Sequence, residues 1–190
     1  MSTVPRLHSA GAVRAAAALV LAAFVGTGGV AAGSAAGSRG GTHSRPEWRG
    51  HAAGKLIDLR LAERADLPTL AGWFNDLEFT GEFEPFEQTS LSELAHDFDV
   101  KPDERWYVVQ ARDTTPIGYV AHGKASGGCW IGYMLVPEAR GKRYGSEAVQ
   151  VIVDYLFLHK DFGRIQAETH PANVASQRVL EEAGFKAARD

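Results

Sequence analysis

Three basic side chains and two glycines are concentrated in the run VPEARGKRYG at residues 136–145. Arg140, Lys142 and Arg143 put three positive charges into four positions, just before an apolar helical pattern. The start of a helix exposes backbone N–H groups that no helical carbonyl can accept, and the helix dipole favours an anion there. The run therefore predicts a phosphate or pyrophosphate site, with a solvated basic turn as the alternative. Neither a Walker A motif nor a dinucleotide fingerprint is present.

A second chemical feature is an acidic stretch at residues 76–104, in which ten carboxylates stand against one basic residue, Lys101. Phe79, Phe83 and Phe86 are interleaved with these acids. An acidic surface attracts a cationic amine, which can also stack on an aromatic ring. The stretch is therefore suited to a cationic partner, with a solvated acidic face as the alternative.

The sequence lacks the residues that a metal site or a disulfide bond needs. Cys129 is the single cysteine, which excludes an internal disulfide and a thiolate-rich metal site. The seven histidines show no ligand spacing of the HExxH kind. We predict no metal site and expect Cys129 to be a buried or half-buried thiol in a strand.

The 190 residues divide into two parts of opposite charge. Residues 1–54 hold five arginines against a single acid, whereas residues 55–190 hold 15 basic and 22 acidic residues. The second part is long enough for one domain with a sizeable core, and we assign residues 55–190 to it. Its net negative charge argues against nucleic acid as the main partner.

The first 54 residues resemble a leader and a linker. Arg6 and Arg14 precede an uncharged, alanine- and glycine-rich stretch at residues 15–37, which has the layout of a secretory signal peptide but is too rich in glycine for a stable membrane span. A passive low-complexity extension is the alternative. Residues 38–54 carry turn and linker residues, and we predict that they are disordered.

Periodicity in the second part predicts the element order β α α β β β α β α. The strands are expected at residues 57–61, 106–111, 117–121, 129–136 and 164–169, and the helices at 65–74, 90–98, 145–160 and 173–183. A helix between the last two strands implies one parallel pair in an otherwise antiparallel sheet. We predict an α+β, three-layer fold with a mixed, mostly antiparallel sheet flanked by helices.

Two motifs, IGYMLVPEARGKRYGSEAVQ followed by IQAETHPANVASQRVLEEAGF, resemble the GNAT superfamily of N-acetyltransferases. Within it the chain is similar to the branch that includes ribosomal-protein N-terminal acetyltransferases, and the opening IDLRLAERADLPTLAGWFND fits that branch's first strand and helix. The resemblance spans about residues 56–186. It implies that a C-terminal hairpin is missing, which would leave the edge strand at 164–169 uncovered and prone to pairing as a homodimer.

The resemblance also implies a site for acetyl-CoA as co-substrate. The family's loop pattern [QR]-x-x-G-x-[GA] falls on residues 140–145, with Arg143 in place of the usual fourth-position glycine. The strand backbone at 134–136 is implied to pair with the pantetheine arm, near Asn173 and Ser176, for which helix capping by Asn173 is the alternative. The implied cofactor-binding residues are Met134, Leu135, Val136, Arg140, Gly141, Lys142, Arg143, Tyr144, Gly145, Ser146, Asn173 and Ser176.

The implied reaction is acyl transfer to an amine, with a carboxylate as base and a donor for the departing thiolate. Glu168 is the expected base, and the competitors are Glu82, Glu84 and Glu87. Leu180 occupies the place of the tyrosine that often serves relatives as the acid. Tyr133 or Ser176 would have to replace it, or water protonates the thiolate.

Three hypotheses follow from these features. The first is a cytoplasmic N-acetyltransferase acting on a cationic small amine or on a protein N-terminus. The second, motivated by Arg143 and Leu180, is a domain that binds CoA without catalysis. The third, motivated by the leader, is an exported or tethered interaction domain.

Overall fold

The computed structural model describes residues 51–101, 103–126, 128–160 and 162–187. These residues form one six-stranded sheet whose strands follow each other in sequence order. The strands are β1 His51–Ala53, β2 Ile57–Leu61, β3 Arg105–Ala111, β4 Pro116–Ala125, β5 Gly128–Leu135 and β6 Ile165–Gln166. The helices are α1 Leu67–Phe74, α2 Leu77–Thr80, α3 Leu91–Val100, α4 Tyr144–His159 and α5 Val174–Glu182.

Neighbouring strands pair antiparallel from β1 to β5, and β5 pairs with β6 in parallel. The parallel pair is the one connected through α4, as the element order predicts. Short 3₁₀ turns precede α1 at Arg64–Asp66 and follow β5 at Pro137–Ala139. The predicted α+β fold is confirmed.

The sheet buries both faces because consecutive side chains of its central strands, which point to opposite faces, are apolar. In β3, Tyr107 and Val109 belong to a core cluster shared with α4 and α5, whereas Trp106 and Val108 belong to a second cluster shared with α1 and α2. Each cluster therefore holds helices against one face of the sheet. The result is the expected three-layer arrangement.

Local signals define the ends of several helices. The Ser90 side chain accepts from the Glu93 amide and the Glu93 carboxylate accepts from the Ser90 amide, so α3 begins with the capping box that the sequence predicts. Asn173 caps α5 by accepting from the Ser176 amide. Gly184 follows α5 with φ of +90°, a conformation that glycine adopts without steric cost.

The structure corrects three details of the sequence interpretation. The linker predicted through residue 54 is wrong at its end, since His51–Ala53 pair with Asp58–Arg60 as β1. The helix α2 was not predicted, because a four-residue segment is too short to show a period. The last strand is limited to Ile165–Gln166, whereas 164–169 was predicted. The predicted leader and the rest of the linker, residues 1–50, lie outside the described residues.

In the described ranges, β6 forms backbone hydrogen bonds with β5 alone and lies at the edge of the sheet. The expected lack of a C-terminal hairpin stays a prediction.

None of the helices described is long and apolar enough to cross a membrane.

Candidate active site

A cleft of about 790 Å³ opens where β5 and β6 diverge. The two strands pair only at Cys129 with Ile165 and at Trp130 with Gln166. Beyond these pairs, the cleft is lined by the second half of β5, the loop before α4, the segment after β6, the face of α5 and the loop between α2 and α3. The basic loop, the strand of the first motif and part of the acidic stretch therefore meet in one cavity; of the ten acids in that stretch, Glu82, Glu84 and Glu87 line it.

The backbone of β5 presents an open edge to this cleft. The Cys129 amide donates to the Arg164 carbonyl at 2.9 Å, whereas the Val136 amide donates to the Ile117 carbonyl at 2.9 Å on the opposite side. Backbone N–H and C=O groups alternate in direction along a strand. Those of Tyr133 and Leu135 therefore point to the cleft, and those of Met134 and Val136 point to β4. The predicted pairing of the backbone at Met134, Leu135 and Val136 with a ligand is therefore wrong for Met134 and Val136, whose backbone groups face β4, and for Leu135 it stays a prediction.

The loop before α4 supplies the unpartnered donors that the sequence predicts. The first helical hydrogen bond of α4 runs from the Glu147 amide to the Arg143 carbonyl at 3.1 Å. The amides of residues 143–146 have no hydrogen-bond partner within the described part of the chain. Gly141, Arg143, Gly145 and Ser146 line the cleft, so a helix start with free N–H groups faces it.

Arg143 adopts a left-handed backbone conformation, with φ of +66° and ψ of 3°, immediately before α4. This conformation is costly for residues that have a Cβ atom, and glycine adopts it freely. The geometry explains why a glycine suits the fourth position of the loop pattern. Arg143 keeps the backbone amide but carries conformational strain and an exposed cationic side chain.

The side chain of Arg140 is not directed to a phosphate site. Its Nε donates to the Leu135 carbonyl at 3.0 Å, and its Nη2 donates to the carbonyls of Phe79 at 2.6 Å and Glu78 at 3.1 Å. Arg140 therefore joins the end of β5 to the last turn of α2. Its backbone amide donates to the Pro137 carbonyl at 3.1 Å, so only the loop that follows Arg140 remains available for an anion.

Two hydroxyls that the sequence proposed as donors lie together. The Tyr133 hydroxyl is 2.9 Å from the Ser176 hydroxyl, and burial raises the pKa of Tyr133 to about 12. Leu180 is 5% exposed and belongs to the core, so it offers no donor. The Tyr133–Ser176 pair is the proton-holding group on this side of the cleft.

Two carboxylates of the cleft are held in partly dry surroundings. Burial raises the pKa of Glu168, which follows β6, and burial also raises the pKa of Glu84, which lies between α2 and α3. A nearby His170 opposes the shift at Glu84. Glu82 and Glu87 also line the cleft.

Tyr119 and Thr89 are among the cleft residues that sequence reasoning missed. Tyr119 lies in β4 and is 4% exposed, and Thr89 is 5% exposed. No motif marks either of them, because their place in the cleft depends on how the loop between α2 and α3 folds over the sheet. Among the described residues, no group of three or more His, Cys, Asp or Glu side chains could hold a metal ion.

Residues 57–186 match the family model described as an acetyltransferase (GNAT) domain. The chain is 26% identical over 140 residues to the uncharacterized N-acetyltransferase p20 of Bacillus licheniformis, an alignment that covers 68% of this chain and 79% of that protein. A 56-residue segment is 46% identical to the probable N-acetyltransferase YjcK of Bacillus subtilis (strain 168), covering 30% and 31% of the two chains.

Solved structures share the fold. The spermidine N-acetyltransferase of Vibrio cholerae, in complex with CoA and spermine, matches with a TM-score of 0.62 at 22% identity, over 69% of this chain and 81% of that one. The aminoglycoside acetyltransferase AAC(6')-Ib, in complex with coenzyme A, matches with a TM-score of 0.60 at 22% identity, over 68% and 84% of the chains. At these identities the likeness concerns the fold.

Proposed function

The chain belongs to the GNAT family of acetyltransferases, and on that premise we propose that it transfers an acetyl group from acetyl-CoA to a primary amine. The acceptor is a cationic small molecule or a protein N-terminus. Of the acidic stretch at residues 76–104, Glu82, Glu84 and Glu87 line the cleft, and this acidic wall favours a cationic acceptor over a neutral or anionic one.

One observation carries the proposal: a single cleft is lined by the elements that both substrates require. The free amides of the loop before α4 suit a pyrophosphate group, with Lys142 and Arg143 adding positive charge. The open edge of β5 offers N–H and C=O groups to an extended arm. Glu168 and Glu84 face the same cavity and can bind or deprotonate an amine.

The reaction needs a neutral amine, because an ammonium group has no lone pair. Glu168 is the proposed base and takes the proton from the ammonium, directly or through water. Acetyl-CoA supplies the acetyl group as a thioester, so that a C–N bond forms while the C–S bond breaks. The N–H groups of Tyr133 and Leu135 on the open edge are the donors available for the carbonyl oxygen as it gains negative charge.

Tyr133 is the proposed donor to the departing sulfur. Its phenol keeps its proton at neutral pH because burial raises the pKa to about 12. A thiol with a pKa of about 8.5 is the stronger acid, so complete transfer from the phenol is uphill by roughly three to four pK units. Tyr133 therefore stabilises the thiolate by a hydrogen bond, Ser176 orients the phenol, and water relays to the sulfur the proton that the nitrogen loses as it becomes an amide.

The direct test is incubation of the full chain with acetyl-CoA and a panel of primary amines, with release of free thiol as the readout. Amine-dependent release, together with an acetylated acceptor in the mass spectrum, supports the proposal. Binding of CoA without release from any amine supports the alternative of a catalytically silent CoA-binding domain.

A similarity to ribosomal-protein N-terminal acetyltransferases makes peptide N-termini a natural part of that panel. Acetyl-CoA is a cytosolic metabolite, so the proposed activity implies a cytoplasmic protein. N-terminal sequencing of the cellular protein tests this, because removal of a leader would instead support export.

A further inference from the structure

The loop between α2 and α3 forms one wall of the cleft and is held at both ends. Arg140 bonds the carbonyls of Glu78 and Phe79 at the start of the loop. At its end, the Asn75 side chain donates to the Thr89 carbonyl at 2.7 Å and accepts from the Thr89 amide at 3.0 Å. This wall therefore has a defined position relative to the sheet.

Thr89 brings a buried hydroxyl to the cleft that has no partner. The residue is 5% exposed and lines the cavity, and its Oγ1 has no hydrogen-bond partner within the part of the chain that the structure describes. A buried hydroxyl without a partner is unfavourable, because it has lost its hydrogen bonds to water and gained none from the protein. A ligand group that bonds Oγ1 would remove this cost.

Glu84 is the charged group of the same wall. It is half-buried and lines the cleft, and no lysine or arginine of the described residues forms an ion pair with it. Burial raises the pKa of the Tyr119 phenol, and the nearby Glu84 carboxylate raises it further; Tyr119 also lines the cavity. Glu84, Thr89 and Tyr119 thus line the same cleft and carry oxygen atoms that can accept hydrogen bonds from a ligand.

The opposite wall carries a second carboxylate, Glu168, on the segment after β6. The two walls are in contact through Phe83 and His170, whose rings stack with centroids 5.4 Å apart. The Nδ1 atom of His170 accepts from the Ala172 amide at 3.1 Å, so this ring nitrogen bonds its own loop, while the ring as a whole lies near enough to oppose the pKa shift of Glu84. Glu84 and Glu168 thus lie on different walls of one cavity, and among the described residues neither forms an ion pair with a lysine or arginine.

Resting on the proposed function, we propose that Glu84, with the hydroxyls of Thr89 and Tyr119, binds a second, non-reacting ammonium group of the acceptor. Glu168 serves the amine that reacts, and Glu84 serves the one that stays charged. The preferred acceptors are therefore diamines or larger polycations. A primary ammonium has three N–H donors, which matches the three oxygen-bearing side chains of this subsite.

The test compares α,ω-diaminoalkanes of four to eight carbons with n-alkylamines of the same length. The full chain is saturated with coenzyme A for calorimetric binding of each amine, and with acetyl-CoA for thiol release. We expect wild type to bind at least one diamine about ten- to hundredfold more tightly than its monoamine, as one hydrogen-bonded charge pair supplies.

Glu84→Gln should abolish this preference by raising the KM of the diamine to that of the monoamine, because the charge pair with the second ammonium group is lost. Thr89→Val should weaken diamine binding by a smaller factor than Glu84→Gln does. It keeps the inference testable if Glu84→Gln does not fold. Glu181→Gln, on the exposed side of α5, is the matched control and should behave as wild type.

Equal binding of diamines and monoamines by wild type, or an unchanged preference in Glu84→Gln, would overturn the inference. A chain that prefers diamines in calorimetry but releases no thiol would support the subsite while refuting the proposed reaction. A chain that acetylates diamines and monoamines equally would support the proposed reaction and refute the subsite.

Discussion

Arg140 Nη2 lies 2.6 Å from the carbonyl oxygen of Phe79, which joins the loop before α4 to the last turn of α2. The first of these segments offers amides to an anion, and the second begins the acidic wall of the cleft. A side chain that the loop pattern assigns to the cofactor side therefore stabilises the acceptor side. The two halves of the cleft are connected through one guanidinium group.

Replacing Arg140 by glutamine should affect the acceptor more than the cofactor. Loss of its bonds to the carbonyls of Leu135, Glu78 and Phe79 should lower the free energy of unfolding by about 1–3 kcal/mol and raise the KM for the amine. Lys142→Gln should show the opposite pattern, with weaker CoA binding and unchanged stability. Urea denaturation measures the stability of the two variants, and CoA titration measures their affinity for CoA. Equal effects of the two substitutions would contradict the assignment of Arg140 to the acceptor side and Lys142 to the cofactor side.

The left-handed backbone at Arg143 can be tested with a pair of variants that both remove the charge. Arg143→Gly should be more stable than Arg143→Ala by about 1 kcal/mol, because glycine adopts a positive φ without steric cost. Thermal and urea denaturation supply the comparison. Equal stability of the two variants would show that this conformation is not strained.

Removing the phenolic hydroxyl in Tyr133→Phe should lower kcat for thiol release by roughly ten- to hundredfold, because the thiolate loses its hydrogen-bond donor. CoA affinity should stay near wild type. Tyr155→Phe, which removes a hydroxyl from a residue outside the cleft lining, is the control and should retain its kcat. A Tyr133→Phe variant with full kcat would assign the proton donation to water alone.

The pH profile of kcat/KM reports on Glu168. A base works only when deprotonated, so the rate should rise with pH through the pKa of Glu168, which burial raises above that of an ordinary glutamate. Glu168→Gln should lose this limb and leave only the rise due to deprotonation of the amine itself. A limb that persists in this variant and disappears in Glu84→Gln would exchange the roles of the two carboxylates.

A buried histidine predicts how stability depends on pH. His122 is 4% exposed beside Tyr107 and Cys129, and burial lowers its pKa from 6.5 to about 4. Between these values the unfolded chain binds the proton and the folded chain does not, so stability should fall as the pH drops from about 6.5 to 4, by at most about 3 kcal/mol. His122→Gln should flatten this slope, whereas exposed His96→Gln should not.

Most of the fold could be predicted from the sequence because its signals are local. The apolar face of α4 is visible as a 3.6-residue period, and the capping box of Ser90 and Glu93 lies within four residues. The parallel pair follows from a helix connecting two strands. The short segments β1 and α2 were missed, since three or four residues carry no period.

The candidate site was predictable only in part. The sequence identified the loop before α4 and the carboxylates, because the charge of a side chain follows from its residue type and does not depend on the fold. It could not assign the Val136 amide to β4, because the direction of a backbone group depends on strand register. It could not show Thr89 as a buried hydroxyl either, since burial depends on what covers the residue.

The sequence by itself determined the order of elements, the family motifs and the opposite charges of the loop and the acidic wall. These depend on neighbours a few positions apart. The tertiary structure decided which of those groups meet. The Tyr133 hydroxyl contacts the Ser176 hydroxyl, 43 residues away in sequence. The Arg140 guanidinium bonds the Phe79 carbonyl in α2, 61 residues away, instead of facing the anion site. Such contacts follow from how the layers pack on the sheet, which no local pattern specifies.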